Sequence, residues 1–191
     1  MTIKKIRRVF LAAPLFSTGD RTFCRLLLEV LREDLGLEAY WAWDTVDEDA
    51  VGPELGVESG EGWQIRLREK LREAGREEEA GALIFRNDRS LLDRADLVVA
   101  ILDGSDVDSG TAWEIGYAYA RGKPIIGIRT DVRDFMDGAP VNVMLEWSIR
   151  ERGRDFLIIV NPLEEVDLRE KLASRLRKLI AALEEAGGDG E

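Results

Sequence analysis

The sequence predicts an α/β domain, a doubly wound sheet of about five mainly parallel strands with helices on both faces. Three observations predict it. Short, apolar, β-branched runs recur along the chain, and two of them, 96–102 (DLVVAIL) and 124–129 (PIIGIR), read as strands buried on both faces. Stretches with helical apolar spacing separate these runs, as parallel crossovers require. The 191 residues, 45 % hydrophobic, suffice for one well-packed domain, and no Pro- or Ser-rich linker divides them. One domain is expected over residues 1–186, with the glycine-rich 187–191 a flexible tail.

The elements follow in order. Residues 6–16 (IRRVFLAAPLF) read as a first strand entering a Pro-containing turn. A helix is expected over 22–35, with an apolar face of Phe23, Leu26, Leu27, Val30 and Leu31 and a stop at Gly36. A short strand near 38–43 comes next, then a Gly/Glu/Asp-rich connection, 44–62, long enough to be a lid or site wall. Residues 63–95 read as mainly helical with a solvated Arg/Glu face, broken near Gly81 or Asn87. After the strand at 96–102 and a helix containing Glu114, the run 124–129 is a fourth strand, 142–152 a helix, 155–160 a fifth strand and 163–186 a closing amphipathic helix.

Composition excludes several chemistries. The formal charge of −11 repels phosphate backbones and anionic membranes, so neither nucleic acid nor a membrane is expected as a partner. No run approaches the ~20 apolar residues of a membrane span, and no signal-peptide core follows the N-terminus, so a cytoplasmic location is expected. With one cysteine, Cys24, no internal disulfide forms, and its helical setting makes it a core residue. The absence of histidine excludes imidazole metal sites and leaves acid–base and nucleophilic work near neutral pH mainly to carboxylates. Only weak oxygen ligation of Mg²⁺ or Ca²⁺ by the acidic loop stays open; no metal or cofactor is expected.

The densest chemistry lies at 103–122 (DGSDVDSGTAWEIGYAYARG): a strand end, a loop with Asp103, Asp106 and Asp108, then a helix with Glu114 in its first turn. Ligands bind at the carboxyl ends of strands in open α/β sheets. Two readings of Thr111-Ala-Trp-Glu114 stand side by side: a capping box, and a site carboxylate beside Gly110, where a ligand can approach the backbone. Asn87 and Asp88 likewise read either as caps of a helix beginning at Ser90 or as a site pair in which Asp88 supplies a proton. Asp96 reads as a turn or cap residue. Trp41, Trp43 and Trp63 read as core or as walls that stack on an aromatic ligand.

Four segments together carry a resemblance: 9–16 (VFLAAPLF), Asn87-Asp88 with Asp96 leading a strand, 108–118 (DSGTAWEIGYA), and 140–144 (PVNVM). In this order they resemble the nucleoside 2-deoxyribosyltransferase family, most specifically in Gly-x-x-x-Glu-x-Gly-Tyr-Ala. The resemblance implies a flavodoxin-like fold and exchange of the nucleobase of 2′-deoxyribonucleosides through a covalent glycosyl-glutamate, with net retention. It implies Glu114 as the nucleophile, Asp88 as the group handling the proton of the departing base, and Asp108 and Asn142 as binders of the sugar 5′-hydroxyl. Gly110, Ala12, Phe16 and Met144 become substrate-contacting positions. The partners implied are deoxynucleosides, free nucleobases and further copies of the chain, because the equivalent of Asn142 enters a neighbouring subunit's site. One departure is Phe10, where members usually carry a tyrosine that orients the glutamate; Tyr117 or a backbone amide would substitute. Two other readings share the fold: a nucleoside 5′-monophosphate N-glycosidase, with water as acceptor, and a non-catalytic nucleotide sensor.

Overall fold

The computed structural model describes residues 5–133, 139–150, 156–160 and 167–188. Five strands, β1 (Arg8–Ala12), β2 (Glu38–Trp41), β3 (Leu97–Ile101), β4 (Ile125–Arg129) and β5 (Leu157–Ile159), form one parallel sheet in the order β2-β1-β3-β4-β5. Val9 pairs with Leu97, Val98 with Ile125 and Gly127 with Leu157. The helices are α1 (Thr18–Glu29), α2 (Glu48–Val51), α3 (Trp63–Glu73), α4 (Ala80–Arg94), α5 (Ser109–Ala120), α6 (Val143–Arg150) and α7 (Leu168–Gly188). This is the doubly wound, flavodoxin-like α/β fold expected. Strand order reverses between β1 and β3, so their carboxyl ends form the crevice in which such sheets hold ligands.

The fold clusters into two compact units, one of Met1–Ala39 with Asp96–Glu191, the other Tyr40–Ala95. In the first, every residue of β3 and β4 is buried, as the continuous apolar runs predict. Gly127 makes room for close packing: a Cβ there would lie 2.7 Å, 2.9 Å and 3.0 Å from terminal methyls of Leu102, Ile149 and Leu157, which would have to shift to admit it. Asp96 ties the sheet at its amino end, its Oδ2 accepting from the backbone N–H of Arg7 (3.0 Å) and Arg8 (2.8 Å). Cys24 is a buried core residue.

α1 starts four residues before the expected position. Ser17 and Asp20 form a reciprocal capping box that the apolar spacing alone did not reveal. It runs into a π-helical turn, Val30–Asp34, before Gly36 (φ 66°). Of the expected apolar face, Leu27, Val30 and Leu31 are buried, while Phe23 and Leu26 are half-buried.

The second unit has its own core of Val51, Val57, Trp63, Leu67, Leu71, Ala80 and Leu83. The 44–62 connection is therefore not a bare loop but folds into α2 and a 3₁₀ turn, Pro53–Leu55, that contribute to this core. The helical break falls at 74–76, where Gly75 has φ 69°, and not at Gly81 or Asn87, both inside α4. Gly81 meets nothing that would force a break. Among the described residues, no helix is long and apolar enough to cross a membrane. Residues 134–138 of the polar loop before Pro140 and residues 189–191 of the expected tail lie outside the described residues.

Candidate active site

In the first unit, the loop from β3 to α5 is fixed by its neighbour. Arg129, 3 % exposed at the end of β4, donates to the carbonyls of Leu102, Gly104 and Arg133. Asp103 accepts from the N–H and hydroxyl of Thr130 and from the N–H of Asp131 (3.0 Å). Asp131 in turn accepts from Gly104 N–H (3.1 Å), and hydrogen bonding to Arg133 holds its carboxyl well below the usual range. Asp103 is thus a structural clasp. Among the described residues no group of His, Cys, Asp or Glu is arranged to hold a metal ion, and the loop carboxylates form no such cluster.

The loop ends at Asp108, the N-cap of α5, whose Oδ2 accepts from the N–H (3.0 Å) and hydroxyl (3.3 Å) of Thr111. Its other oxygen, Oδ1, carries no hydrogen bond among the described residues. This overturns the capping-box reading of Thr111 and Glu114. α5 begins at Ser109, so Glu114 is its sixth residue, in the second turn and not the first. The capping work it would have done is already done by Asp108. Glu114 also lies beyond the first turn, the part of the helix where the dipole acts most strongly. Gly110 belongs to the first turn, where a Cβ would approach Asp108 Oδ2 to 3.1 Å.

α5 buries Thr111, Ile115 and Ala118 against the sheet, leaving Glu114 half-buried. Trp113 stacks on Tyr117 (ring centroids 5.2 Å), and the Arg121 guanidinium lies 5.9 Å from the Tyr117 centroid. Phe10 is buried in β1. Ala12 closes β1 opposite Ala100 of β3, while Phe16, beyond the strand, is 75 % exposed. Asn142 caps α6, its Oδ1 accepting from Met144 N–H (2.9 Å), which leaves its amide N–H groups to donate elsewhere. Met144 is 74 % exposed.

In the second unit, Asn87 and Asp88 are the eighth and ninth of the 15 residues of α4, so neither caps a helix at Ser90. Asp88 is half-buried, and burial pushes its carboxyl up to about 7 against the opposing hydrogen bond from Asn87. A carboxyl of that kind is protonated in part at neutral pH, which suits an acid. Trp41 and Trp63 are fully buried core residues, and Trp63 Nε1 donates to Ala42 O (2.7 Å). Trp43 is half-buried beside Gly62, where a Cβ would lie 3.3 Å from its ring.

Sequence reasoning missed the buried Asp47, which accepts from Ser90 Oγ (2.6 Å) and Arg94 (3.2 Å). It also missed the Arg129 clasp. Both residues are charged yet 5 % or less exposed, and no local pattern marks a charge for burial. A cavity of about 320 Å³ lies at the amino end of β4, lined by Tyr119, Pro124, Ile125, Ser148 and Phe156. It is remote from the carboxyl ends of the strands, and the candidate chemistry is not there.

A family model for nucleoside 2-deoxyribosyltransferase matches residues 9–149. A conserved protein from Enterococcus faecalis V583 has a solved structure that superposes with a TM-score of 0.52 at 20 % identity, covering 91 % of this chain and 99 % of that one. The 2-deoxyribosyltransferase of Bacillus psychrosaccharolyticus superposes with a TM-score of 0.51 at 22 % identity, covering 85 % and 94 %. An uncharacterized protein of Schizosaccharomyces pombe is 48 % identical over 50 residues, 24 % of each chain, so the match spans about a quarter of that relative's length.

Proposed function

The chain belongs to the nucleoside 2-deoxyribosyltransferase family, and from that membership we propose that it exchanges the nucleobase of 2′-deoxyribonucleosides by double displacement at C1′. A carboxylate oxygen of Glu114 forms a bond to C1′ as the C–N bond to the base breaks, and the base nitrogen takes a proton from Asp88. The nitrogen of a second base then attacks C1′, the ester bond to Glu114 breaks, and Asp88 recovers a proton from the incoming base. Two inversions give net retention, as in retaining glycosidases. The lack of a 2′-hydroxyl eases positive charge at C1′, and the steps balance without a cofactor.

The observation that carries this reading is the position of Glu114: half-buried in the second turn of α5, with the cap supplied by Asp108. A half-buried carboxylate in the second turn of the helix that follows β3, on a helix whose cap is supplied by another residue, suits the role of nucleophile. Purified protein given deoxyadenosine and free cytosine is expected to produce deoxycytidine. Free deoxyribose as the main product would make water the acceptor and the chain an N-glycosidase, and no turnover would favour the non-catalytic sensor.

Asp108 and Asn142 support free nucleosides over their 5′-monophosphates. The Oδ1 of Asp108 can accept from a 5′-hydroxyl and would repel a phosphate dianion. A kcat/KM for deoxyadenosine at least about tenfold above that for its monophosphate is expected, equivalent to about 1.4 kcal/mol. Asp108→Ser with Asn142→Ser should narrow that ratio. Both serines can still cap their helices, so the fold should survive. Preference of the unmodified protein for the monophosphate would overturn the pocket assignment.

The homo-oligomer expected from the family rests on α6. Val143, Met144 and Trp147 are 57 %, 74 % and 61 % exposed, on the helix whose start carries Asn142. Large apolar side chains grouped in this way mark a protein contact, and a second copy seated there would receive Asn142 into its own site. Trp147→Glu should shift the protein toward monomer in sedimentation and lose base exchange in parallel. A fully active monomer would remove the shared site.

A further inference from the structure

At the centre of α4 lies an asparagine with no solvent exposure. Asn87 is 0 % exposed, and a buried primary amide needs partners for both its donors and its acceptor. Oδ1 accepts from Asp47 N–H at 2.7 Å, and Nδ2 donates to Thr45 O at 3.1 Å and to Asp88 Oδ1 at 3.1 Å. The two backbone partners fix which end of the amide is which. A flipped amide would set donor against the Asp47 N–H and acceptor against the Thr45 carbonyl. The second N–H of Nδ2 therefore points at Asp88 whether that carboxyl is ionised or not.

We propose that Asn87 is the positioning residue of the proton donor: by occupying Oδ1 of Asp88 it confines the transferable proton to Oδ2 and steadies the carboxylate left when the proton departs. This rests on the reading of Asp88 as the group that protonates the departing base. An oxygen that already accepts an N–H disfavours carrying its own proton on that side, so Oδ2 becomes the donating atom. The same amide grips Thr45 and Asp47 and so locks the acid to the segment that follows β2. That segment is itself ordered: Thr45 Oγ1 accepts from Trp41 N–H (3.2 Å) and donates to Asp44 Oδ1 (2.6 Å).

Among the described residues no ionised side chain is a cause of the Asp88 shift. Burial and the Asn87 hydrogen bond are the two causes of the Asp88 shift. Glu48 and Asp49 of α2, Arg66, Arg68, Glu69, Lys70, Arg72 and Glu73 of α3, Glu77 and Glu78 of the turn before α4, and Arg86 and Arg89 of α4 are exposed. Glu79 is paired with Arg76. The buried Asp47 is opposed by its own burial, but Ser90 and Arg94 outweigh that and hold it below the usual carboxylate range.

The decisive measurement is NMR on the unmodified protein. Carboxyl ¹³C of Asp88 is assigned by its loss in Asp88→Asn, and the two Nδ2 protons of Asn87 are followed through the same titration. One of the two should move with the Asp88 midpoint while the other, bonded to Thr45 O, stays still; if neither or both move with it, the proposal falls. Asn87→Leu, which removes the N–H toward Asp88 without adding a charge, should raise that midpoint by about one pH unit or more. In an active enzyme it should also slow deoxyadenosine at least about tenfold more than a 2-deoxyribosyl donor whose leaving group needs no proton. An unmoved midpoint, or equal slowing of both donors, overturns the positioning role. If the unmodified protein exchanges no base at all, the transferase reading fails, and the proton and midpoint measurements still decide for or against the Asn87–Asp88 pairing.

Discussion

Glu114→Ala is expected to reduce base exchange by on the order of 10⁴-fold or more, about 5.5 kcal/mol of barrier, in a protein that stays folded. The kinetic loss follows from removing the atom that bonds to C1′: alanine offers no nucleophile, and the chain has no histidine to take over. The structural half of the expectation comes from Asp108. Because Asp108 and not Glu114 partners Thr111 at the start of α5, the substitution breaks no cap, and alanine is the better helix former at an internal position. Glu114→Gln, which keeps size but not charge, should be nearly as slow. Turnover and a thermal melt on the same preparations check both halves. Near-normal exchange in a folded Glu114→Ala protein would end the nucleophile assignment.

Asp88→Asn should slow exchange from ordinary nucleosides by about 10²–10⁴-fold while slowing an activated donor far less, since a good leaving group needs little acid assistance. The pH dependence has a definite sign. The acid works protonated, and burial places its carboxyl at about 7, so kcat/KM of the unmodified enzyme should fall above that pH, and Asp88→Asn should lose that limb. Stability responds separately. A carboxyl raised in the folded state stabilises fully only below its unfolded pKa, and the fold loses that contribution as pH rises through about 7. The melting advantage of Asp88→Asn over the unmodified protein should therefore grow from mildly acidic to neutral pH and level off above it. Equal slowing of both donors would remove Asp88 from the acid role.

Strand positions, the burial of β3 and β4 on both faces and the order of helices between the strands were legible in the sequence, because a strand of five apolar residues such as Leu97–Ile101 carries its burial in its own composition. The family was legible too, since its motifs are short and local. Helix starts were less so: Ser17-Thr-Gly-Asp20 is a capping box, but apolar spacing does not extend to it. What only the tertiary structure decided was which polar side chain does which job. Thr111-x-x-Glu114 and Asn87-Asp88 fit a local capping pattern as well as a site, and a pattern of a few residues does not say where its helix begins. Asp108 takes the cap of α5, and α4 extends seven residues ahead of Asn87. The amide of Asn87 then finds Thr45 and Asp47, some 40 residues away in the chain. Hydrogen-bond partners that distant leave no periodicity to read, because burial of a polar group is settled by what folds against it.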